Sequence, residues 1–595
     1  MPTTQFYQDR RADFQALADR LQARYARLAL WRLGIFIGAV AVLILLFSYA
    51  GPIVGFVGLL IFLGVFSRFV KFHTAIDRRR EHAANLAEIN AREAACVTGD
   101  WSAFPDGEQY LDPLHPYALD LDIFGPYSFF QFTNRTSTTL GSDRLADYLA
   151  NPATPEVVTR RQAAVAELSD RLDWRQELNA HGLSIDDRRE DVVELQRWLD
   201  LEPFVSTNRW LQLALWIVPL YVVIALTLAV LYLPYQLWIF VLVIPGWILY
   251  RTKSQVDEVH RHTERGANIL AGYAALVEHI EGEQFTSPLL QEIGDAFHDT
   301  AGSASGQLRR LAYLIRQLNL RNNFFAIFFN LASLWDLRYV LRLERWRASL
   351  REELPKWFEG LAELEALHSL AAVRYNRPEW CFPEFTEAKL LTAEQLGHPL
   401  LRPEKRVDND FTTPTRGHIK LVTGSNMAGK STFLRSVGMN IVLARTGSVV
   451  CAQSMSLPVL EVFTSMRTVD ALHEDTSSFY AELKRLKFII EATEAGRPVY
   501  FLLDEILKGT NSRDRHKGSR ALIRQLIDAR GAGIIATHDL ELGDLEEHSN
   551  GTVENWRMEV EIEEGELVFD YTLKRGVTQS FNATELMRRM GIRIN

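Results

Sequence analysis

Residues Leu421–Gly438 read LVTGSNMAGKSTFLRSVG, and this stretch decides the fold around it. The run Ile419–Val422 predicts a strand, and the residues after Gly429 follow a helical pattern. Between the two lies the motif GxxxxGK[ST], from Gly424 to Ser431, in the strand–loop–helix context that gives it meaning. The glycines let backbone N–H groups turn toward phosphate oxygens, and the helix N-terminus adds positive potential. The stretch therefore predicts a nucleoside triphosphate site in an α/β P-loop domain.

Two side chains of this loop carry their own chemistry. Lys430 would place a point charge near the β- and γ-phosphates, and the Ser431 hydroxyl is suited to Mg²⁺. The predicted nucleotide-binding residues are the loop and the helix start: Gly424, Ser425, Asn426, Met427, Ala428, Gly429, Lys430, Ser431 and Thr432.

The composition is that of a multidomain protein from a reducing compartment. A chain of 595 residues is too long for one domain. The net charge of −9 argues against a surface coated for nucleic acid, although a local basic patch is compatible with it. Cys96, Cys381 and Cys451 are widely spaced, which fits neither a disulfide framework nor a zinc signature. The first residues, MPTTQFYQDRRADFQ, are polar and show no cleavable signal pattern.

Four apolar stretches predict two transmembrane helical hairpins. They lie at about 33–49, 53–69, 210–233 and 235–250, and their only charged residue is Arg68, at the end of the second. Buried core helices usually keep a polar stripe, and these stretches have none. Aromatic residues such as Trp210 and Tyr250 lie near their ends, as in an interfacial belt. We therefore expect helices that span a membrane rather than helices of a soluble core.

Basic residues flank the hairpins and predict their orientation. Arg20, Arg24, Arg27 and Arg32 precede the first stretch, and Arg251 and Lys253 follow the fourth, whereas the turns inside each hairpin carry no charge. By the positive-inside rule, both termini and all large segments face the cytoplasm. We expect a multi-pass protein of the inner, or cytoplasmic, membrane with its nucleotide domain on the cytoplasmic side.

These patterns divide the chain into five parts. They are 1–95, an N-terminal helix with the first hairpin; 96–205, a helical segment; 206–251, the second hairpin; 252–395, a second helical region; and 396–595, the nucleotide domain. Phe324–Trp335 is very apolar but too short to span and contains Asn330. It predicts a buried or interfacial helix, with a fifth span as the alternative.

Two carboxylates follow an apolar strand downstream of the loop. The sequence PVYFLLDE ends in Asp504 and Glu505. Asp504 can hold Mg²⁺ through its water shell, and Glu505 can orient and polarise an attacking water. The next apolar strand, Gly533–Ala536, leads to His538, which can sense the γ-phosphate or position that water. Glu505, His538 and Lys430 are therefore the predicted catalytic residues, and Ser431 and Asp504 the metal ligands.

A serine pair precedes a predicted helix between these motifs. Ser477 and Ser478 could cap that helix, with Glu482 as an acidic partner in its first turn. Alternatively, the same helix N-terminus could face a γ-phosphate on a partner subunit. We include both serines among the candidate nucleotide-binding residues.

Four segments together resemble the ATPase domain of the MutS family: TGSNMAGKSTFLRSVG, DTSSFYAEL, LLDEILKGTNSRDRH and ATHDLEL. Phe569–Ile592 is similar to the closing strand and helix of that domain, and Arg135–Leu145 to the start of the family's core helical domain. The resemblance covers roughly 119–200 and 362–592. It implies an ABC/MutS-type P-loop ATPase domain beside an all-α core and lever-like domain.

The resemblance also implies roles and partners. Asn426 and the loop backbone would contact phosphates, and Ser477 or Ser478 would act across a composite site in a homodimer formed through the ATPase domain. ATP and Mg²⁺ are the implied cofactors. DNA is a candidate partner, in a process related to DNA mismatch repair.

Several positions depart from the family pattern. The mismatch-reading domain has no counterpart, and membrane helices stand in its place. Leu507 replaces a family glycine, Lys508 an arginine and Arg515 a glycine, and the position of the adenine-stacking aromatic aligns with Arg406. These departures leave the phosphate chemistry in place and argue against mismatch recognition.

Two other functions remain as alternatives. An ABC-like transport ATPase would use the membrane part, but DTSSF occupies the place of the Leu-Ser-Gly-Gly-Gln signature and the apolar stretches hold no charge in their interior to mark a substrate path. A nucleotide-gated membrane tether with a non-DNA partner would need ATP only as a ligand. Asp504, Glu505 and His538 favour hydrolysis over that tether.

Overall fold

A computed structural model describes residues 3–298, 302–323, 326–425, 427–467, 478–563 and 566–578. Its N-terminal part is helical, and its C-terminal part is mixed α/β. The helices are α1 Thr4–Leu45, α2 Pro52–Val97, α3 Phe129–Thr133, α4 Thr139–Ala150, α5 Pro155–Ser169, α6 Leu172–Leu183, α7 Arg189–Asp200, α8 Arg209–Tyr232, α9 Val243–Thr263, α10 Gly266–Glu281, α11 Pro288–His298, α12 Ala304–Asn319, α13 Ala326–Ser333, α14 Trp335–Ser349, α15 Glu353–Asn376, α16 Lys430–Thr446, α17 Ser478–Glu494, α18 Ser512–Asp528 and α19 Leu545–His548.

The strands all lie in the C-terminal part of the described chain. They are β1 Glu384–Phe385, β2 Leu390–Leu396, β3 Asn409–Pro414, β4 His418–Thr423, β5 Ser454–Leu457, β6 Glu461–Ser465, β7 Val499–Asp504, β8 Ala532–Thr537, β9 Val553–Arg557, β10 Val560–Glu563, β11 Glu566–Phe569 and β12 Lys574–Arg575.

The first hairpin consists of two long helices, α1 and α2. The sequence pattern predicts an amphipathic helix and then a separate apolar one, divided near Arg32. In the structure α1 continues unbroken to Leu45, because no proline interrupts it and isolated glycines are tolerated inside a helix. One π-helical turn, Leu46–Ala50, follows, and Gly51 turns the chain with a φ of +88° that favours glycine. Pro52 then starts α2, which runs well past the apolar stretch to Val97.

Three segments of the described chain are long and apolar enough to cross a membrane: Thr4–Ala50, Pro52–Val97 and Arg209–Tyr232. Their apolar side chains face outward rather than into a protein core. Ile44 is 61% exposed and Leu60 68% exposed, for example. Such faces are stable only against an apolar environment or a partner surface.

The fourth apolar stretch is not the continuous helix that its composition predicts. Tyr235–Leu242 forms a 3₁₀-helix, and the α-helix α9 begins only at Val243. Pro245 explains the break, because it has no N–H for the carbonyl of Val241 and its ring disfavours an α-helical turn before it. A proline in the first turn of a helix is tolerated, so α9 starts immediately ahead of it.

A second proline, Pro219, lies inside α8 and frees the carbonyl of Leu215 four residues earlier. Arg338 of α14 supplies the missing donor, since its Nη2 donates to the Leu215 carbonyl at 2.8 Å. Its guanidinium also lies 5.9 Å from the ring centroid of Trp216. The contact ties the second apolar hairpin to the helical core.

The short helix α13 packs against α8 and α9. It forms most of the apolar segment for which we expected a buried or interfacial helix. Residues 324–325 of that segment lie outside the described residues. Phe328 is 60% exposed and Phe329 62% exposed, so this helix is not buried, and its interfacial placement stays a prediction.

A buried polar network joins the first hairpin to the helical core. Arg135 donates to both carboxylate oxygens of Glu93 on α2, at 2.6 and 3.1 Å. Asn376 at the end of α15 donates to the same carboxylate at 2.9 Å and accepts the hydroxyl of Tyr7, on α1, at 2.7 Å. Both ends of the hairpin are therefore anchored to α15.

The central sheet has the order β12-β9-β4-β8-β7-β6. Its strands β9, β4, β8, β7 and β6 are parallel, and β12 is antiparallel to β9. Asp504 pairs with Ala536, and Thr423 pairs with Thr537, so the carboxyl ends of β4, β8 and β7 meet at one edge. This edge is where a parallel sheet places its ligand.

A smaller sheet has the order β1-β5-β2-β3. Because β2 pairs with both β3 and β5, the boundary that we predicted between residues 395 and 396 cuts through a strand. The α/β region therefore begins before Glu384.

The segment after α2 packs directly on the α/β region. The carboxylate of Asp120 accepts the backbone N–H groups of Met466 and Arg467, at 3.1 and 2.9 Å. Arg445 donates to the carbonyls of Ala153 and Leu460, both at 2.8 Å. The helical core and the α/β region are thus joined by hydrogen bonds between side chains and backbone, not only by apolar contacts.

Candidate nucleotide site

The loop between β4 and α16 has the close backbone contacts that its glycines permit. A Cβ on Gly424 would lie 2.3 Å from the carbonyl oxygen of Met558. Gly429 has a φ of +93°, and its virtual Cβ would lie 2.8 Å from the ring of Tyr571. Only glycine suits both positions, which explains why the loop can bend tightly into the N-terminus of α16.

Lys430 is the first residue of α16 and is only 2% exposed. Its Nζ donates to the carbonyls of Gly424 and Ser425, at 2.8 and 2.9 Å. Burial lowers the pKa of Lys430 to about 8, while Asp504 and Glu505 oppose that shift. The ammonium is therefore held inside the loop by two of its carbonyls.

Ser431 and Asp504 form a pair at the end of β7. The Ser431 hydroxyl donates to Oδ2 of Asp504 at 2.5 Å. Oδ1 of Asp504 is buried and has no hydrogen-bond partner within the described residues. A buried carboxylate oxygen without a donor is costly, and a hydroxyl with a carboxylate is the oxygen set that Mg²⁺ prefers. The two residues therefore fit a Mg²⁺ ion.

Glu505 follows directly with a left-handed backbone, at a φ of +51°. Its N–H donates to the Ala536 carbonyl at 2.9 Å, which fixes it beside β8. Oε1 lies 2.5 Å from Nε2 of His538, and Oε2 lies 3.3 Å from Nζ of Lys508. The hydrogen bond from His538, with the charge of Lys508, lowers the pKa of Glu505 to about 2. This carboxylate therefore stays ionised at neutral pH.

The turn after Glu505 is strained. Leu507, which replaces a family glycine, has a φ of +60°, a conformation that costs a branched side chain of order 1–3 kcal/mol. Its N–H donates to Oε1 of Glu482 on α17 at 2.5 Å. We expected Glu482 to pair with the N-terminus of its own helix, but it instead holds the turn that carries Glu505. Burial raises the pKa of Glu482.

A cavity of about 250 Å³ adjoins the loop on the side of the small sheet. Its lining includes Gly429, Thr432, His398, Met558 and Tyr571. Tyr571 offers an aromatic face next to the loop, and burial lowers the pKa of His398 to about 4, so that ring is neutral. The cavity is the size of a small heterocycle and lies where a base attached to loop-bound phosphates would extend.

Arg406, which sequence alignment placed at the adenine-stacking position, does not line this cavity. It forms a two-pronged ion pair with Asp408, at 2.7 and 3.2 Å. The sequence therefore missed Tyr571 and Met558. The only signal was for Tyr571, which lies in the segment from Phe569 onward that is similar to the family's closing strand, and none pointed to Met558.

The structure brings most of the predicted site residues together. Gly424, Ser425, Met427, Ala428, Gly429, Lys430, Ser431 and Thr432 form the loop and helix start, and Asp504, Glu505 and His538 lie at the adjacent strand ends. Asn426 and Ser477 lie outside the described residues, as does the side chain of Ser478, the first residue of α17. The part of the closing segment after residue 578 is outside them as well.

Comparisons with known proteins agree with this geometry. Residues 420–590 match the family model of MutS domain V. A DNA mismatch repair protein MutS of Aquifex pyrophilus is 31% identical over 268 residues, 43% of this chain and 30% of the relative. The protein of the same name from Thermotoga maritima is 32% identical over 249 residues, 41% of this chain and 30% of the relative.

The chain thus spans about 30% of the length of the curated relatives that it matches. The matched family region contains the loop lysine, Asp504, Glu505 and His538 in the arrangement described above. Through residues 420–590, the C-terminal region of this chain thus matches the MutS domain V family.

Proposed function

We propose that this chain is a membrane-anchored MutS-type ATPase that binds ATP and hydrolyses it with Mg²⁺. One observation carries the proposal: Ser431, Asp504, Glu505 and His538 converge at the carboxyl ends of neighbouring parallel strands, beside a glycine loop and a buried lysine. Phosphoryl transfer needs positioning and charge stabilisation rather than covalent chemistry, and this set supplies both.

The loop would bind the phosphates. Its backbone N–H groups and the N-terminus of α16 point at the same space as Lys430. With a pKa of about 8, Lys430 is mostly protonated at neutral pH, and a neighbouring triphosphate favours the charged form further. Ser431 and Asp504 would hold Mg²⁺, which neutralises charge on the β- and γ-phosphates when it is bound.

Glu505 would orient the attacking water. Because its pKa is near 2, the carboxylate accepts a hydrogen bond from water but does not hold a proton strongly at neutral pH. That suits a loose transition state, in which the proton leaves the water late. His538 and Lys508 fix the carboxylate, so their contacts set the direction from which the water approaches.

We propose that two copies associate through the ATPase domains when ATP is bound. Support comes from the family likeness of α17, whose N-terminus would face the nucleotide of the second copy. The same helix holds the turn after Glu505, because the Leu507 N–H donates to Glu482 of α17. A ligand that shifts the start of α17 would therefore shift this turn as well.

We propose that the two apolar hairpins anchor the protein in the inner membrane with the ATPase in the cytoplasm. Exposed apolar side chains on α1, α2 and α8 support this placement, as does the basic flanking pattern. Membrane fractionation tests it: recovery of the full chain in the soluble fraction, without aggregation, would contradict the anchor.

Phosphate release by the full chain in lipid nanodiscs tests the ATPase. Glu505→Gln keeps the shape of the side chain but removes its charge, and we expect kcat to fall by at least about 100-fold with ATP still bound. Lys430→Ala should weaken ATP binding. Lys487→Ala and Glu491→Gln alter an exposed ion pair on α17 and serve as matched controls. Turnover of Glu505→Gln at the unaltered rate would refute the assignment.

The same variant tests association. Glu505→Gln should accumulate as an ATP-bound dimer in mass photometry, because hydrolysis no longer resets it. A population that stays monomeric at saturating ATP would contradict the composite site.

We propose DNA as the first macromolecular partner to test, because the relatives matched here are named DNA mismatch repair proteins. Binding of duplex DNA should weaken steeply with salt and change with ATP. Absence of ATP-dependent binding at low salt would exclude DNA. ATP-driven solute uptake by liposomes would instead favour transport, and ATP binding without turnover would favour a tether.

A further inference from the structure

We propose that His82, Glu177 and His181 form a binding site for a divalent transition-metal ion, with zinc as the best-suited member. The three residues lie between α2 and α6, far from the nucleotide loop in the chain. One ligand atom from each lies within 4.8 Å of the others.

The arrangement comes from two rigid elements. Glu177 and His181 are four residues apart on α6, so both side chains project from one face of that helix. His82 comes from the facing side of α2, and its Nε2 lies 2.5 Å from Oε2 of Glu177. The imidazole rings of His82 and His181 have centroids 4.6 Å apart. Ligands on helices are held more precisely than ligands on loops.

A hydrogen bond between His82 and Glu177 accounts for two of the three residues but not for His181. Within the described residues, the ring nitrogens of His181 have no hydrogen-bond partner, although the ring is half-buried between its neighbours. Neither ring nitrogen of His181 is both buried and unpaired, so each is open to solvent and available to an ion. An ion shared with the adjacent histidine and carboxylate would give His181 an interaction comparable to the hydrogen bond of the other two residues.

The donor set indicates the class of ion. Two imidazole nitrogens and one carboxylate oxygen suit Zn²⁺ and its first-row neighbours, whereas Mg²⁺ and Ca²⁺ prefer oxygen ligands alone. Zinc–ligand distances of about 2.0–2.2 Å require the three atoms to lie about 3.3 Å apart. The short contact to Glu177 would open slightly, and His181 would move inward.

A neighbouring histidine supports the site from outside. The ring of His279, on α10, has its centroid 5.7 Å from that of His181. It stacks on Trp174, and its Nε2 lies 3.0 Å from the Trp174 carbonyl, so its orientation is fixed. Three protein ligands would leave one position of a tetrahedral ion for water.

The site would brace the first hairpin against the helical core. Near it, Asn85 of α2 donates to the carbonyl of Ala180 on α6 at 3.0 Å. A metal ion at this place would add a strong link between the same two helices. The inference does not depend on ATP hydrolysis, because none of its residues contacts the nucleotide site.

Cobalt binding tests the proposal directly. The full chain, with any polyhistidine tag removed, is stripped with a chelator, placed in nanodiscs and titrated with Co²⁺. We expect one equivalent to bind with visible d–d absorption bands of a four-coordinate ion, and Zn²⁺ to displace it. Absence of a stoichiometric band would overturn the site.

Two variants separate a metal site from a hydrogen bond. His181→Ala removes a ligand that has no described hydrogen bond, and His82→Gln keeps a donor for Glu177 but removes the imidazole. Each should lower Co²⁺ affinity at least about 100-fold, above the usual effect of losing a supporting hydrogen bond. His298→Ala changes a histidine whose Nδ1 contacts only a carbonyl of its own helix within the described residues, and is the control.

Melting temperatures show whether a variant loses Co²⁺ binding because it is misfolded. His181→Ala and the unaltered protein should melt at the same temperature in chelator, whereas added Zn²⁺ should raise the melting temperature of the unaltered protein alone. If His181→Ala melts lower in chelator, His181→Gln replaces it in the titration. Equal Co²⁺ affinity in the variants and the unaltered protein would refute the metal site and leave only a hydrogen bond between His82 and Glu177.

Discussion

Replacing Arg338 with methionine should destabilise the second hairpin, and replacing Pro219 with alanine should remove most of that cost. Pro219 leaves the Leu215 carbonyl without its helical N–H, and Arg338 donates to that carbonyl at 2.8 Å. Methionine keeps much of the arginine's apolar stem but leaves a buried acceptor unpaired, which costs about 1–3 kcal/mol. Leu215 is only 4% exposed, so water cannot easily replace the donor.

The alanine at position 219 restores an N–H four residues after Leu215. In that background Arg338→Met should cost about 1 kcal/mol or less, because only its contact with the Trp216 ring is lost. That contact is lost in both backgrounds and cancels in the double-mutant cycle. The cycle should therefore give a coupling of about 1–2 kcal/mol for the carbonyl contact alone.

Pulse proteolysis in urea, on protein in detergent, measures the four free energies of unfolding. Arg342→Met is the matched control, because Arg342 lies one turn further along α14 and contacts the Tyr339 ring instead of a backbone carbonyl. If Arg338→Met costs the same with proline and with alanine at position 219, the hydrogen bond contributes nothing and the reasoning fails.

Three further predictions concern the core and the candidate site. Glu93→Gln leaves Arg135 buried without a carboxylate and should cost about 3–5 kcal/mol, whereas the exposed Glu88→Gln should cost little; similar costs would contradict it. Leu507→Gly should be more stable than Leu507→Ala by about 1 kcal/mol, because alanine keeps the strain at a φ of +60°, and the reverse order in urea unfolding would exclude that strain. The pKa of Glu505 is lowered from 4.5 to about 2, so its stabilising contacts are fully present above pH 4.5 and are lost as the pH falls toward 2. The difference in unfolding free energy between the unaltered protein and Glu505→Gln should therefore shrink in that window. A constant difference would refute the shift.

The grouping of the glycine loop, the two acids and the histidine could be predicted because the signals are local. A glycine loop after one strand, two acids after a second and a histidine after a third are each visible within a few residues. The rule that parallel strands end at a common edge then brings them together without a structure. Neither Asn426 nor the serine pair is tested by this geometry, and their roles stay predictions.

The cavity beside the glycine loop and the cluster of His82, Glu177 and His181 could not be predicted, because their residues come from distant parts of the chain. Tyr571 reaches the loop from beyond the last parallel strand, and alignment offered Arg406 in its place. His82 and Glu177 are separated by 95 positions and meet only through the packing of α2 on α6. No local pattern marks such a pair.

The break in the fourth apolar stretch is marked in the sequence by Pro245. Hydropathy averages over a window and does not register a proline, whereas Pro245 decides where α9 begins. Conversely, α1 continues through Arg32 because it holds no proline there, and isolated glycines such as Gly34 are tolerated inside a helix. Apolar composition predicts which segments avoid water, and backbone chemistry decides which of them are one helix.

The unbroken length of α1 and α2 has a mechanical consequence. From Thr4 to Arg32, α1 is about 43 Å long at 1.5 Å per residue, and α2 beyond its apolar stretch is of similar length. With Tyr7 hydrogen-bonded to Asn376 at the end of α15, these helices form a stiff pair that, under the proposed membrane placement, would set the distance between the α/β region and the bilayer. A tilt of α15 by a few degrees would therefore displace the far end of this pair by several ångströms, so small motions of the helical core would be enlarged at the apolar stretches.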